Sequence, residues 1–128
     1  MCMVIGTGNK TELMLGYLTK YGDGGCDVEP IGNLYKTEVF ELAKHLNIPS
    51  CIINKPPSAE LWEGQTDEGE IGMTYAEMDG ILRGMDTKSL FFDREALVRK
   101  YGEQKVAIIS KRVMESAHKR EMPKSFFI

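Results

Sequence analysis

The stretch that decides the fold is Met3-Val4-Ile5-Gly6-Thr7-Gly8-Asn9-Lys10-Thr11-Glu12, close to the start of the chain. Its first three residues are an apolar run that stops at a glycine, which predicts a short buried strand followed by a turn. Asn9 and Glu12 have the spacing of a capping box, so we predict a helix from Lys10 to Tyr17. The pattern places the chain in the α/β class.

The predicted strand is expected to lie inside a parallel sheet, because an apolar strand of this kind buries both of its faces. The rest of the sequence offers few partners for it, although Val28 to Ile31 is predicted to be briefly extended. We therefore expect a mostly helical arrangement with one or two short parallel strands. We also expect a further segment of the protein to precede Met1 and to supply the missing neighbours.

Four more helices are predicted from apolar periodicity and from capping residues, among them a Thr74–Glu77 capping box and an Asp93 cap. The stretch from Asn54 to Met73 is predicted to be irregular, and a loop of this length is usually functional or mobile. The helices are predicted at Lys36–Leu46, Tyr75–Arg83, Arg94–Tyr101 and Glu103–His118. The side chains predicted to face inward are Val39, Leu42, Ala43 and Leu46 on the first of these helices and Val106, Ile109, Val113, Met114 and Ala117 on the last.

The composition is that of one soluble globular domain, residues 1–128, with 42% apolar and 27% charged residues. The net charge of −3 argues against a general nucleic-acid surface. No apolar run approaches the roughly 20 residues of a membrane span, so no membrane partner is expected. The three cysteines lack Cys-x-x-Cys spacing, which predicts reduced thiols in a cytoplasmic protein.

Two glycine-rich segments are candidate ligand sites. The Gly6–Asn9 turn lies at a helix start, where backbone N–H groups favour phosphate. It matches neither the Gly-x-Gly-x-x-Gly fingerprint nor the Walker A loop, so an ordinary turn and cap is the simpler interpretation. The loop from Tyr17 to Asp27 contains Lys20 and Asp23 among its glycines. It suits either contacts to a ligand or a solvated turn.

Two charged residues have two interpretations each, and one basic segment has a single simple interpretation. Lys36 lies at a helix start, where a cation opposes the helix dipole unless an anion is also present. Glu12 is a capping residue by its spacing, but a carboxylate beside phosphates is also a natural magnesium ligand. The run His118-Lys119-Arg120 is most simply the basic end of a helix.

The order of these segments resembles the signature of NAD synthetases over almost the whole chain. The first part of the resemblance is the stretch from Val4 to Glu12. The ammonia-dependent branch is the better fit, because the Gly-Asp-Gly-Gly loop and the residues after it follow that branch. The remaining segments are Gly16-Tyr17-Leu18-Thr19-Lys20-Tyr21-Gly22-Asp23-Gly24, Pro30-Ile31-Gly32-Asn33-Leu34-Tyr35-Lys36-Thr37, Asn54-Lys55-Pro56-Pro57-Ser58-Ala59-Glu60-Leu61-Trp62, Gly64-Gln65-Thr66-Asp67-Glu68 and His118-Lys119-Arg120.

The resemblance implies a Rossmann-like fold of the adenine nucleotide alpha hydrolase type, of which this chain is the C-terminal part. It also implies ATP-dependent amidation of deamido-NAD by ammonia, through an adenylated intermediate and with Mg²⁺. A homodimer is implied as the assembly. By position, the ATP contacts are Thr7, Lys36 and Ser58, the magnesium ligand is Glu12, and the deamido-NAD contacts are Lys20, Asp27, His118 and Lys119.

The sequence also departs from the family pattern. The Ser-Gly-Gly-x-Asp-Ser loop that holds the ATP phosphates in this family is absent, and Cys26 stands where a small residue is usual. We therefore expect the chain to be inactive alone. Two other hypotheses stay open: a non-catalytic remnant that binds a dinucleotide or pairs with another subunit, and a different amidating enzyme that releases pyrophosphate. The Lys20-to-Asp27 loop argues against the latter.

Overall fold

A computed structural model describes residues 2–86 and 93–123. Within these ranges the chain is mostly helical, in agreement with the sequence. The α-helices are α1 (Lys10–Leu15), α2 (Lys36–His45), α3 (Ser50–Ile53), α4 (Asp67–Ile71), α5 (Tyr75–Met85), α6 (Arg94–Tyr101) and α7 (Glu103–Glu115), and a 3₁₀ turn covers Ala117–Arg120.

Extended backbone near the start of the chain forms one parallel bridge, between Ile5 and Val28. The Gly6 N–H donates to the Val28 carbonyl at 2.7 Å, which fixes the register of the pair. The predicted parallel pairing is therefore present as a single bridge, without a longer strand among the described residues, and the prediction that this segment is buried is wrong. Val4 and Ile5 are 57% and 58% exposed, because this one bridge leaves both faces of the strand uncovered among the described residues.

The core is built around α5. Met78, Ile81 and Leu82 of this helix are fully buried, and Val106 and Ile109 of α7 pack against them. A capping box starts α5, since the Thr74 side chain accepts from the Glu77 N–H as predicted. Because α1, α2, α6 and α7 all pack against α5, this helix sets the relative positions of the other four.

Several predicted helix ends move in the structure. α1 stops at Leu15, two residues before the predicted Tyr17, because Gly16 adopts a left-handed conformation with φ +65° and closes the helix. α5 runs on to Met85, past the predicted end at Arg83. Gly84 lies inside this helix, where the Leu97 side chain of α6 packs in the space that a Cβ would occupy.

The predicted inward faces of α2 and α7 are wider than the observed ones. No residue of α2 is fully buried, and Leu46, just after its last residue, is 59% exposed. Met114 of α7 is 70% exposed, because the core contacts of this helix run through Val106 and Ile109. α7 also ends at Glu115, before the predicted end at His118, and continues into the 3₁₀ turn.

The stretch from Asn54 to Met73 is more regular than predicted. It contains α4, which Thr66 caps by accepting from the Gly69 N–H. Ahead of α4, the Asp67 N–H donates to the Pro57 carbonyl at 3.0 Å and closes a loop. The sequence missed this helix because five residues are too few to show a helical period.

Candidate functional site

The start of α1 positions the first candidate residue, Glu12. Asn9 caps the helix and accepts from the Glu12 N–H, while Glu12 Oε2 accepts from the Asn9 N–H at 3.1 Å. Its other oxygen, Oε1, accepts from the ammonium of Lys36 at 2.9 Å. The capping role read from the sequence is confirmed, and the same carboxylate also forms an ion pair.

Lys36 is the first residue of α2. Its ammonium lies beside Glu12 and 5.3 Å from the centre of the Tyr75 ring, on the side of α5. Both side chains of the ion pair are less than 20% exposed. A cation at a helix start is unfavourable without an anion nearby. In this structure the carboxylate of Glu12 is the anion beside Lys36.

This ion pair opens onto a cavity of about 460 Å³. The polar end of the cavity comprises four lining residues that cluster together: Glu12, Tyr17, Lys36 and Asp67. Glu12 contacts Lys36, and the Lys36 ammonium lies beside the Tyr75 ring. The Tyr75 hydroxyl donates to Asp67, which Tyr17 also faces. The apolar wall is the apolar part of the lining, which comprises Val39, Phe40, Ala43, Ile48, Ile52, Ile53, Pro56, Pro57 and Ala59; Asp23, Lys55 and Ser58 complete the lining. A concave site with an apolar wall and a few converging polar groups is typical of small-molecule binding.

Three of the four residues predicted for ATP and magnesium meet in this cavity: Glu12, Lys36 and Ser58. Ser58 Oγ accepts from the Glu60 N–H at 3.0 Å, which fixes its side chain in the loop. Thr7 is exposed on the turn before α1 and is absent from the cavity lining. The structure therefore does not bring Thr7 together with the other three.

A second cavity, also of about 460 Å³, is lined by Lys20, Asp27 and Lys119, three of the residues predicted for deamido-NAD. Asp27 also accepts from the Val4 N–H at 2.7 Å, so it ties the glycine-rich loop to the exposed strand. The fourth predicted residue, His118, does not line this cavity, although its carbonyl accepts from the Lys20 ammonium. The His118 ring lies 3.0 Å from the Glu115 carbonyl.

The basic 3₁₀ turn fastens the end of α1. Lys119 Nζ donates to the carbonyls of Gly16 and Leu18 at 2.6 and 2.7 Å. Arg120 donates to the carbonyls of Leu13 and Met14. Carbonyls at a helix end lack partners within the helix, and cations there are stabilising. The basic run is thus a helix terminus, as the sequence indicated. Its charged side chains stabilise the carbonyls at the end of α1 in addition to the end of α7.

Tyrosines and carboxylates from distant segments also meet at the polar end. The Tyr75 hydroxyl donates to Asp67 at 2.6 Å, and burial together with this carboxylate raises the pKa of Tyr75. The second oxygen of Asp67 is buried without a partner among the described residues. Tyr17 donates to Glu70 at 2.8 Å, and its pKa is raised first by burial and then by this hydrogen bond.

Sequence reasoning missed the side-chain contacts of Tyr75, Asp67 and Glu70, and it placed Tyr17 only at the end of the first helix and at the start of the glycine-rich loop. These pairs join residues as far as 53 positions apart, and no local spacing signals them. The surroundings of Glu70 lower its pKa: hydrogen bonds from the Gln65 amide and the Tyr17 hydroxyl hold the pKa below its ordinary value.

Comparison with known proteins places the chain in a family. The family model described as NAD synthase matches residues 1–123. This chain belongs to the NAD synthase family. The NH(3)-dependent NAD(+) synthetase of Thermoplasma acidophilum is 53% identical over 127 residues, which are 96% of this chain and 47% of the relative. The enzyme of the same name from Helicobacter pylori strain P12 is 50% identical, over 94% of this chain and 48% of the relative.

Two solved structures share the fold. The NMN synthetase from Francisella tularensis superposes with a TM-score of 0.80 at 40% identity, over 98% of this chain and 47% of that one. The NH3-dependent NAD synthetase from Campylobacter jejuni, in complex with nitrate, gives 0.73 at 34% identity, over 98% and 45%. The chain thus spans about half the length of the relatives and structures that it matches.

Proposed function

We propose that this chain supplies part of the active site of an ammonia-dependent NAD synthetase, within a Rossmann-like fold of which residues 1–128 are one portion. The observation that carries the proposal is the Glu12–Lys36 ion pair at the polar end of a cavity with an apolar wall. A nucleoside triphosphate has the matching chemistry, with a flat base at one end and phosphates at the other.

The reaction has two steps. The nicotinate carboxylate of deamido-NAD attacks the α-phosphorus of ATP, and the bond to pyrophosphate breaks. Ammonia then attacks the carboxyl carbon of the adenylate, the bond to AMP breaks, and the nitrogen gives up a proton to leave the amide of NAD. Charge stabilisation and the alignment of reactants are the main catalytic effects that the protein provides here.

Lys36 is the proposed phosphate ligand. Its ammonium is held by one carboxylate and lies where it can exchange that partner for a phosphate oxygen. Ser58 is proposed to donate its hydroxyl to the same nucleotide from the opposite loop. Thr7 is proposed as a third ATP contact, from the exposed turn before α1.

Glu12 fits a magnesium ion that arrives with the nucleotide. No cluster of three or more potential metal ligands occurs within residues 2–86 and 93–123, so these residues alone build no complete metal site. Magnesium bound with phosphates commonly takes only one or two carboxylates and obtains its other ligands from phosphate and water. An ion bound in this way would neutralise phosphate charge, and Glu12 would be the residue of this chain that holds it.

Deamido-NAD is proposed to bind at the second cavity through Lys20, Asp27, His118 and Lys119. Lys20 and Lys119 donate to backbone carbonyls, which holds their stems in fixed positions beside Asp27.

A homodimer in the cytoplasm is the proposed setting. Among the helices of residues 2–86 and 93–123, none has both the length and the apolar character to cross a membrane.

The experiment combines this chain with the portion of the Thermoplasma acidophilum enzyme that it does not match. The mixture receives ATP, Mg²⁺, ammonium and either deamido-NAD or its mononucleotide, and mass spectrometry follows NAD, NMN and AMP. We expect NAD and AMP in equal amounts from the mixture and neither from the chain alone. NMN as the main product would indicate that the mononucleotide, and not deamido-NAD, is the preferred substrate. Ligand binding without AMP release would favour a non-catalytic dinucleotide-binding or subunit-pairing role.

A further inference from the structure

The N-terminus of α2 is capped from outside by two buried side chains, Thr11 of α1 and Asp79 of α5. Thr11 is fully buried and Asp79 is 2% exposed. Asp79 Oδ2 accepts from the Thr37 N–H at 2.8 Å, and Oδ1 accepts from the Thr11 hydroxyl. The Thr11 oxygen in turn accepts from the Lys36 N–H at 2.9 Å. The first two N–H groups of α2 are thereby satisfied.

This arrangement differs from an ordinary cap. An N-cap side chain usually comes from the residue just before the helix and satisfies the N–H groups of its own segment. Here the acceptors come from residues 25 and 42 positions away from the amides that they bind. Tyr35, the residue before α2, makes no side-chain capping bond of its own. The capping groups therefore fix where α2 begins relative to α1 and α5.

The residues next to this network are the two charged residues of the candidate site. Thr11 precedes Glu12 in α1. The Thr11 hydroxyl accepts a hydrogen bond from the backbone N–H of Lys36 itself. The Glu12–Lys36 contact of 2.9 Å therefore joins the residue that follows Thr11 in α1 to the residue whose N–H donates to the Thr11 hydroxyl. A buried carboxylate is costly without hydrogen-bond partners. Asp79 of α5 has such partners from α1 and α2, so its hydrogen bonds join three helices.

We propose that Asp79 and Thr11 are positioning residues that set the Glu12–Lys36 ion pair at the polar end of the cavity. They touch neither the proposed ATP nor the proposed metal, because neither residue lines that cavity. They act through the backbone of Lys36 and the helix turn that carries Glu12. The inference about ATP binding rests on the proposed function, whereas the inference about the ion pair does not.

The first measurement needs no substrate. In the ¹⁵N-labelled chain, the side-chain ammonium signal of Lys36 is assigned by its loss in Lys36→Met, and its position without the ion pair is taken from Glu12→Gln. We expect Thr11→Val and Asp79→Asn to move the signal towards that position. Thr11→Ser keeps the hydroxyl, so the Lys36 signal of this variant should lie at its wild-type position. A signal that stays at its wild-type position in both variants overturns the proposal.

The second measurement uses the reconstituted enzyme. Thr11→Val should raise the KM for ATP by about tenfold, and by less than about twofold when Lys36 is already methionine, since a residue that acts through another loses its effect with it. Thr74→Val, which removes the cap of α5, is the matched control and should leave the KM for ATP unchanged. Additive effects of Thr11→Val and Lys36→Met would show a general structural role and would also overturn the proposal.

The two measurements separate this inference from the function. If the Lys36 signal moves as expected and the wild-type mixture forms no AMP, the proposed function fails and the positioning network stands. Asp79→Asn keeps an acceptor for the Thr37 N–H, so this variant has a smaller effect on folding than loss of the whole side chain. If Thr11→Val does not fold, Asp79→Asn decides the first measurement.

Discussion

Lys36 Nζ lies 2.9 Å from Oε1 of Glu12, although the two residues are 24 positions apart in the sequence. Each residue is at the first turn of its own helix, α1 for Glu12 and α2 for Lys36. The two helix starts therefore face each other, and the acidic side chain of one compensates the basic side chain of the other. This relationship gives Glu12 two roles, a cap and a charged group at the cavity.

Replacing Glu12 with glutamine separates these roles. Glutamine serves at the same capping position, so the free energy of unfolding should fall by only about 1–2 kcal/mol, including the lost ion pair. Turnover in the reconstituted enzyme should fall at least about a hundredfold, with partial recovery at raised Mg²⁺, because the carboxylate charge is gone. Steady-state kinetics and urea unfolding measure the two effects.

Glu77→Gln is the matched control for that prediction. Glu77 holds the same capping position in α5 and lies outside the cavity. Its replacement should lower stability by a similar amount and leave turnover unchanged. Intact turnover in Glu12→Gln, together with a loss of stability, would leave Glu12 with the capping role alone.

The loop that carries Ser58 is expected to close over bound nucleotide. Lys55, Pro56, Pro57 and Ser58 line the cavity, and the loop is tied back to α4 by the Asp67–Pro57 hydrogen bond. Closing loops exclude water from reactive intermediates, and an adenylate is open to hydrolysis. Hydrogen exchange at residues 54–61 should slow on addition of a non-hydrolysable ATP analogue with Mg²⁺. Exchange in α7 serves as the reference, and equal rates with and without the analogue would contradict a lid.

The contacts of Glu70 in α4 predict that acid weakens the stability of this region. The Gln65 amide and the Tyr17 hydroxyl stabilise the ionised carboxylate, so its pKa is lower in the folded chain than its ordinary value of 4.5. A group with a lowered folded pKa contributes its stabilisation above the ordinary value and loses it as the pH falls through the folded value. The stability difference between wild type and Glu70→Gln, from urea unfolding, should therefore shrink between pH 6 and about pH 3.

Glu63→Gln is the control for this titration. Glu63 is an exposed carboxylate in the loop that precedes α4. Its replacement should leave the pH dependence of stability close to that of the wild type. A difference for Glu70→Gln that stays constant with pH would mean that the hydrogen bonds of Glu70 carry no net stabilisation.

The exposed strand predicts self-association of the chain. Met3, Val4 and Ile5 are 64%, 57% and 58% exposed and leave an uncovered apolar edge. Exposed strands and apolar patches favour pairing with another chain. Light scattering should show a dimer or larger species at high concentration, and Ile5→Lys should shift it towards monomer. Met114→Lys, a change at an isolated exposed position on α7, should not; a monomeric wild-type chain would refute the prediction.

The sequence by itself determined five of the helices, α1, α2, α5, α6 and α7, but neither α3 nor α4. Thr74 with Glu77 and Asn9 with Glu12 are capping boxes in the structure as the spacing predicted, and Asp93 caps α6. Caps and helix periods depend on residues three or four positions apart, so they can be read without the fold. The resemblance to NAD synthetases could also be read directly, because it depends on the order of motifs along the chain.

Only the tertiary structure decided which of these elements face each other. The Glu12–Lys36 pair, the Tyr75–Asp67 bond and the capping of α2 by Asp79 depend on how α1, α2 and α5 pack together. It also decided that Ile5 is exposed, which an apolar run cannot show, because burial depends on what covers a strand as well as on its own residues. Long-range contacts follow from the packing of whole elements, and no spacing within the chain encodes them locally.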